Sequence, residues 1–211
     1  MEFFEILIHP KERMEQELRN VDVNWAHKRF AIYGAVIGLL FGLMFAVLGG
    51  IIGVAAGGAT QNSDVFGLIA GLGFLAIIIM PILMALLTVI SSYIFYHIVA
   101  FIAKLLGGNG SFDANYFLAA KLLLPLIVVN IIMFIVTMIP YIGGIINLVW
   151  FLYTVYLMVV LVSVANALSL GKAIVVWVIL MIVGFILGLF MAGAMLASLI
   201  GAVGAGTTTL N

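Results

Sequence analysis

Cysteine is absent from this chain of 211 residues, and the four charged residue types together make up only 8% of it. The first absence excludes disulfides, cysteine-ligated zinc and a thiol nucleophile. The second excludes an ordinary water-facing surface, for which soluble domains carry roughly 25% charged residues. Hydrophobic residues make up 66% of the chain and mean hydropathy is +1.39, so lipid must be much of its solvent. A formal net charge of zero gives no argument for a nucleic-acid partner.

Enzyme signatures are missing too. The three histidines, His9, His27 and His97, do not stand at metal-ligand spacing, and no His-Glu-x-x-His pair occurs. No serine lies in a Gly-x-Ser-x-Gly elbow, and there is no Walker loop. Ionisable groups inside a membrane are functional suspects by default, yet no carboxylate falls in any apolar stretch. His97, seven residues before Lys104 and one turn from Tyr93, is the one candidate for a polar site or proton relay, and it lacks an evident partner. No catalytic residue, metal or cofactor is expected.

The charges that remain are unevenly placed. Eleven lie in the first 29 residues, and only Asp64, Lys104, Asp113, Lys121 and Lys172 follow. Residues 1–29 therefore read as a charged head, without the apolar core of a cleavable signal peptide. Phe3 to Ile8 resembles an interfacial foot, and Pro10 to about Asn20 a short helix, since proline suits a first helical turn. Residues 30–206 read as a transmembrane domain, and 207–211 as a short polar tail.

Five spans are expected: about Phe30–Ala56, Val65–Ala103, Asn115–Ile139, Ile145–Leu168 and Lys172–Val203. Asp22 or Asn24 can cap the first. The second would be roughly 58 Å long as one helix, against a hydrocarbon core of ~30 Å. It is either two short pieces, divided near Pro81, or one long helix that projects. With five spans, all eight lysines and arginines fall on one side. The positive-inside rule then puts the N-terminus in the cytoplasm and the C-terminus outside. A sixth span made by splitting at Pro81 would move Lys104 and Lys121 outside.

Small residues recur at intervals of four. Gly34, Gly38, Gly42, Ala46 and Gly50 mark the first span; Gly184, Gly188 and Ala192 mark the fifth. Such a face lets helix backbones approach closely, either within one chain or between chains.

Several short patterns follow one another in a set order. Gly107-Gly108-Asn109-Gly110-Ser111-Phe112 joins the second and third spans, and Pro125 lies within the third. Pro140 and Gly143 sit in an Ile-Pro-Tyr-Ile-Gly turn. Trp150, Tyr153 and Tyr156 follow, then Leu168-Ser169-Leu170-Gly171-Lys172-Ala173. In this succession the chain resembles the prokaryotic form of the YIP family, the Ypt/Rab-interacting membrane proteins. The resemblance implies an all-α membrane protein of five spans with a cytoplasmic N-terminus. Eukaryotic relatives bind prenylated Rab GTPases and carry a long acidic N-terminal region with an Asp-Leu-Tyr-Gly-Pro motif. About thirty residues precede the first span here and that motif is absent, which counts against carrying Rab binding over to this chain.

In physical terms, Gly107, Gly108 and Gly110 suit positive φ in a tight turn, and Ser111 or Asp113 can cap the third span. Pro140 and Gly143 suit the opposite turn, while Gly171 would end the fourth helix beside Lys172. The expected function is that of a non-enzymatic scaffold or organiser in a prokaryotic plasma membrane, touching lipid, itself or other membrane proteins. A small transporter or channel component, or an accessory subunit of a larger complex, is the alternative.

Overall fold

The computed structural model describes the backbone of residues 2–60, 63–137, 139 and 141–207, with side chains for 4–55, 67, 71–137, 139 and 141–198. Pro140 and residues 208–211 of the polar tail lie outside the described residues. Among those described, regular structure is entirely helical: α1 (Glu2–Ile8), α2 (Pro10–Glu17), a 3-10 turn (Leu18–Asn20), α3 (Val23–Thr60), α4 (Ser63–Leu105), α5 (Phe112–Thr137), α6 (Ile142–Ala165) and α7 (Leu170–Thr207). Five of them, α3 to α7, are long and apolar enough to cross a membrane. That is the number that hydropathy and charge placement predict.

The head is a working part of the bundle. Pro10 opens α2, where its missing N–H costs nothing. The apolar foot before it is helical, and it docks. Ile6 and Leu7 are buried, Met14 of α2 is fully so, and Phe4 and Ile8 stay exposed. The Tyr153 hydroxyl of α6 donates to the Leu7 carbonyl, and Arg13 pairs with Glu5 across α1 and α2. The first span starts earlier than expected, at Val23, because the Asp22 carboxylate accepts the Trp25 N–H at 2.9 Å. The border drawn after residue 29 thus falls inside α3.

The stretch Val65–Ala103 belongs to a single helix of 43 residues, α4, roughly 65 Å long. Pro81 lies inside it without dividing it. The reason α3 and α4 form so long a pair is visible in their small residues. Gly34 faces Met84 and Ala85, Gly38 faces Met80 and Pro81, and Gly42 faces Ala76 and Ile77, while Gly73 faces Ala46. Each step of four up α3 is a step of about four down α4, so the helices are antiparallel and nearly in backbone contact. A Cβ on Gly38 would lie 2.6 Å from the Pro81 Cα, and one on Gly42 would lie 2.6 Å from the Ala76 carbonyl oxygen. Gly50 meets none of the described residues, but from Gly34 to Ala46 the first small-residue face is used within the chain.

The corresponding face of α7 is not. Gly184, Gly188 and Gly193 have nothing within 4 Å of an added Cβ. The packed core lies instead at the head end, where Phe30, Val99, Ala103, Tyr116, Leu118, Leu122, Leu157, Leu161 and Val176 meet. All eight basic residues gather at this end: in the head, in the second turn of α3, in the first turn of α7, at the close of α4 and in the third turn of α5. Away from it, large apolar side chains such as Leu152, Ile186 and Phe190 point outward, the last 79% exposed. Lipid or another chain must cover that surface.

Candidate functional site

Two of the sequence patterns, more than fifty residues apart, come together at the head end. The segment Leu106–Ser111 joins α4 to α5, and Asn166–Ser169 joins α6 to α7. Both α4 and α6 end in the same way. Past α4, Gly107 has φ +86, its N–H reaches the Lys104 carbonyl, and the Gly108 N–H reaches that of Ala103 at 3.0 Å. Past α6, Ala167 has φ +51, its N–H reaches the Val164 carbonyl at 3.4 Å, and the Leu168 N–H reaches that of Ser163 at 2.9 Å. Each pair of bonds closes a Schellman motif, which satisfies carbonyls that a helix end leaves open.

The two ends are then tied to each other. The Asn109 N–H donates to the Asn166 carbonyl at 2.9 Å. The Lys172 ammonium donates to the Leu106 carbonyl at 2.9 Å, which places a cation at the C-terminal end of α4, where the helix dipole favours it. Beneath these contacts, Asn115 and Asn166 are wholly buried and exchange a pair of side-chain hydrogen bonds at 2.9 and 3.0 Å. Each amide also donates to its own segment, Asn115 to the Ser111 carbonyl and Asn166 to that of Val162. A buried amide pair satisfied on every side fixes one arrangement, since any other would strand polar groups in an apolar core.

Individual motif residues take up particular roles here. Gly107 and Gly110 have positive φ, at +86 and +61, as a tight turn requires. Gly108 does not; it is held to glycine by space, because a Cβ would sit 2.8 Å from the Asn166 carbonyl oxygen. The Ser111 hydroxyl accepts the Ala114 N–H at 3.2 Å and caps α5. Phe112 stacks on His97, with ring centroids 3.8 Å apart. Gly171 differs from expectation. It lies in the first turn of α7 with open space around it, and Ala167, two residues past the end of α6, is the position that turns the chain.

The remaining candidates are spread along the bundle. Pro125 is buried inside α5. Gly143 lets the start of α6 approach the end of α5, since a Cβ would lie 2.8 Å from the Thr137 Cα. The Trp150 indole donates to the Asn130 side chain at 2.8 Å, joining α6 to α5. The His97 imidazole nitrogen Nδ1 lies 2.8 Å from the Tyr93 carbonyl, one turn earlier in the same helix. Around it, Tyr93, Phe112 and Tyr116 form a ring cluster that reaches His27 of α3. No acidic group is among these neighbours.

Asn115 and Asn166 escaped the sequence reading. The available signal was that an amide near the end of an apolar span needs a buried partner. Nothing local says which of the other amides it meets.

What the geometry defines is a multi-pass α-helical membrane protein whose inter-helix loops at one end are locked into a single structure. That description and the succession of motifs agree with a family model: the Yip1 domain matches residues 4–192. The chain belongs to the Yip1 domain family, and α1 to most of α7 lie within the match. No curated protein and no solved structure matches it significantly.

Proposed function

We propose that this Yip1-domain protein is a non-enzymatic scaffold of a prokaryotic plasma membrane. In this reading the head end faces the cytoplasm, and the outer helices associate with further copies of the chain. One observation carries it: from Gly34 to Ala46 the small-residue face of α3 is filled by α4, whereas the same spacing on α7, at Gly184 and Gly188, meets none of the described residues. Small residues at that interval suit close contact between membrane helices, where dispersion replaces the missing hydrophobic drive. The rigid junction of the two loops suits a platform better than a moving gate. The sidedness follows from the positive-inside rule applied to eight basic residues gathered at one end.

Native mass measurement after mild detergent extraction tests this reading. The expected result is a homo-oligomer that falls to a folded monomer in Gly188→Ile. A stable foreign subunit would favour the accessory-subunit alternative, and a wild-type monomer would refute the scaffold.

A further inference from the structure

The head does not close completely onto the bundle. Between α1, the end of α2, α3 and α5 it leaves a cleft of about 300 Å³ whose walls include Ile6, Glu17, Trp25, Arg29, Lys121 and Leu124. Two cations share one aromatic ring there. The Arg29 guanidinium lies 4.9 Å from the Trp25 ring centroid, and the Lys121 ammonium 4.6 Å from it. Lys121 also pairs with Glu17 at 2.9 Å. Among the described residues, Arg29 has no carboxylate within salt-bridge distance. The cleft therefore holds two positive charges against one negative, and the spare one is half-buried.

A second feature continues from the first. One helical turn further along the same two helices, a groove of about 270 Å³ runs between α3 and α5, lined by Tyr33, Ile37, Ile127, Asn130, Ile131 and Phe134. α3 and α5 run in the same direction here, with Arg29 level with Leu124 and Ile37 with Ile131 to Phe134. A charged cleft thus lies one turn from a shallow, mostly apolar groove on the side away from the head.

We propose that the cleft binds the headgroup phosphate of an anionic phospholipid, with an acyl chain lying in the α3–α5 groove. The guanidinium offers a planar fork that matches phosphate oxygens, and the ammonium of Lys121 gives a second, mobile donor. The Trp25 ring lies against both cations, near the start of α3. A free phosphate would use the same donors but not the groove, and the groove is what selects lipid. The site stands independently of the scaffold reading, since it lies within one copy of the chain.

Native mass measurement of the full chain in neutral detergent, with equal phosphatidylglycerol and phosphatidylcholine of matched acyl chains, tests the assignment. One phosphatidylglycerol should be retained in preference. Arg29→Gln should lower that preference about fivefold, the worth of one basic side chain near an anionic membrane surface. Arg29→Lys should keep most of it. Glu17→Gln removes the competing carboxylate and should raise the preference, which keeps the test open if the arginine variant folds poorly. Equal retention of the two lipids, or an unchanged preference in Glu17→Gln, would overturn the proposal. So would displacement of the phosphatidylglycerol by millimolar inorganic phosphate, which would mark a site for a free anion.

Discussion

Gly38→Ile is expected to unfold the bundle or to destabilise it by about 3 kcal/mol or more, the upper range for over-packing a close contact. The side chain has nowhere to go. A Cβ alone would sit 2.6 Å from the Pro81 Cα and 2.7 Å from the Met80 carbonyl carbon, both backbone atoms that cannot rotate away. Relief would require α3 and α4 to separate, and they touch in the same way at Gly34, Gly42 and Gly73. The clash would therefore be felt along the whole pair. Gly188→Ile is the matched comparison, because within one copy its Cβ has open space and its effect should fall on association and leave the fold intact. Thermal unfolding in detergent, followed by tryptophan fluorescence, should show a loss on the order of 10 °C for Gly38→Ile. Gly188→Ile should shift far less. Equal effects would mean that the two glycine faces are used alike.

The second large effect is expected at the junction of the loops. Asn115→Leu should cost about 1–3 kcal/mol, the penalty for leaving a buried polar partner unsatisfied. The partner is Asn166, fully buried, whose side-chain oxygen loses its donor and whose amide loses one acceptor. Asn166→Leu should cost about as much, because each substitution also breaks one bond to a backbone carbonyl, that of Ser111 for Asn115 and that of Val162 for Asn166. With both asparagines replaced by leucine, the loss should be smaller than the sum of the single losses, by about 1 kcal/mol. Neither stranded amide then remains, and neighbouring groups in one network couple on that scale. Strict additivity in this cycle would show that the two side chains do not depend on each other.

Much of the architecture was legible because each of its signals is local. Hydropathy marked the five long helices; of the candidate caps Asp22 or Asn24 and Ser111 or Asp113, Asp22 and Ser111 are the ones used, and the glycines at 107–110 marked the turn after α4. The positions that could not be read depend on who meets whom. Asn115 and Asn166 stand 51 residues apart, and no period in the sequence joins them. Gly108 looked like a third positive-φ glycine, but its requirement comes from the Asn166 carbonyl of another loop. Gly171 looked like the stop of α6, whereas Ala167 takes the left-handed conformation itself, at φ +51.

Lipid-facing helices are also hard to orient for a physical reason. In a soluble helix the buried face is apolar and the exposed face polar, so the contrast shows which side packs. In α7 the buried Leu180 and the exposed Phe190 are both apolar. That is why Gly184 and Gly188 could be recognised as a close-packing face while their partner could not. The length of α4 was visible in the sequence, and its continuity was not. Pro81 is a kink point in an isolated helix, but here its Cα lies against Gly38 and it remains within one helix.

The arrangement as a whole rests on five spans with every basic residue at the head end. Cysteine scanning measures it directly, since the chain has no cysteine of its own. Asn109 is the better reporter for the head end, being exposed, whereas Ser111 is engaged in capping α5. Gly144 is exposed at the opposite end, in the first turn of α6, and Thr60 closes α3 there. With an impermeant thiol reagent applied to intact cells, Gly144→Cys and Thr60→Cys should react, and Asn109→Cys should react only after the membrane is opened. Labelling of Asn109→Cys in intact cells, or its appearance on the same side as Gly144→Cys, would contradict the topology.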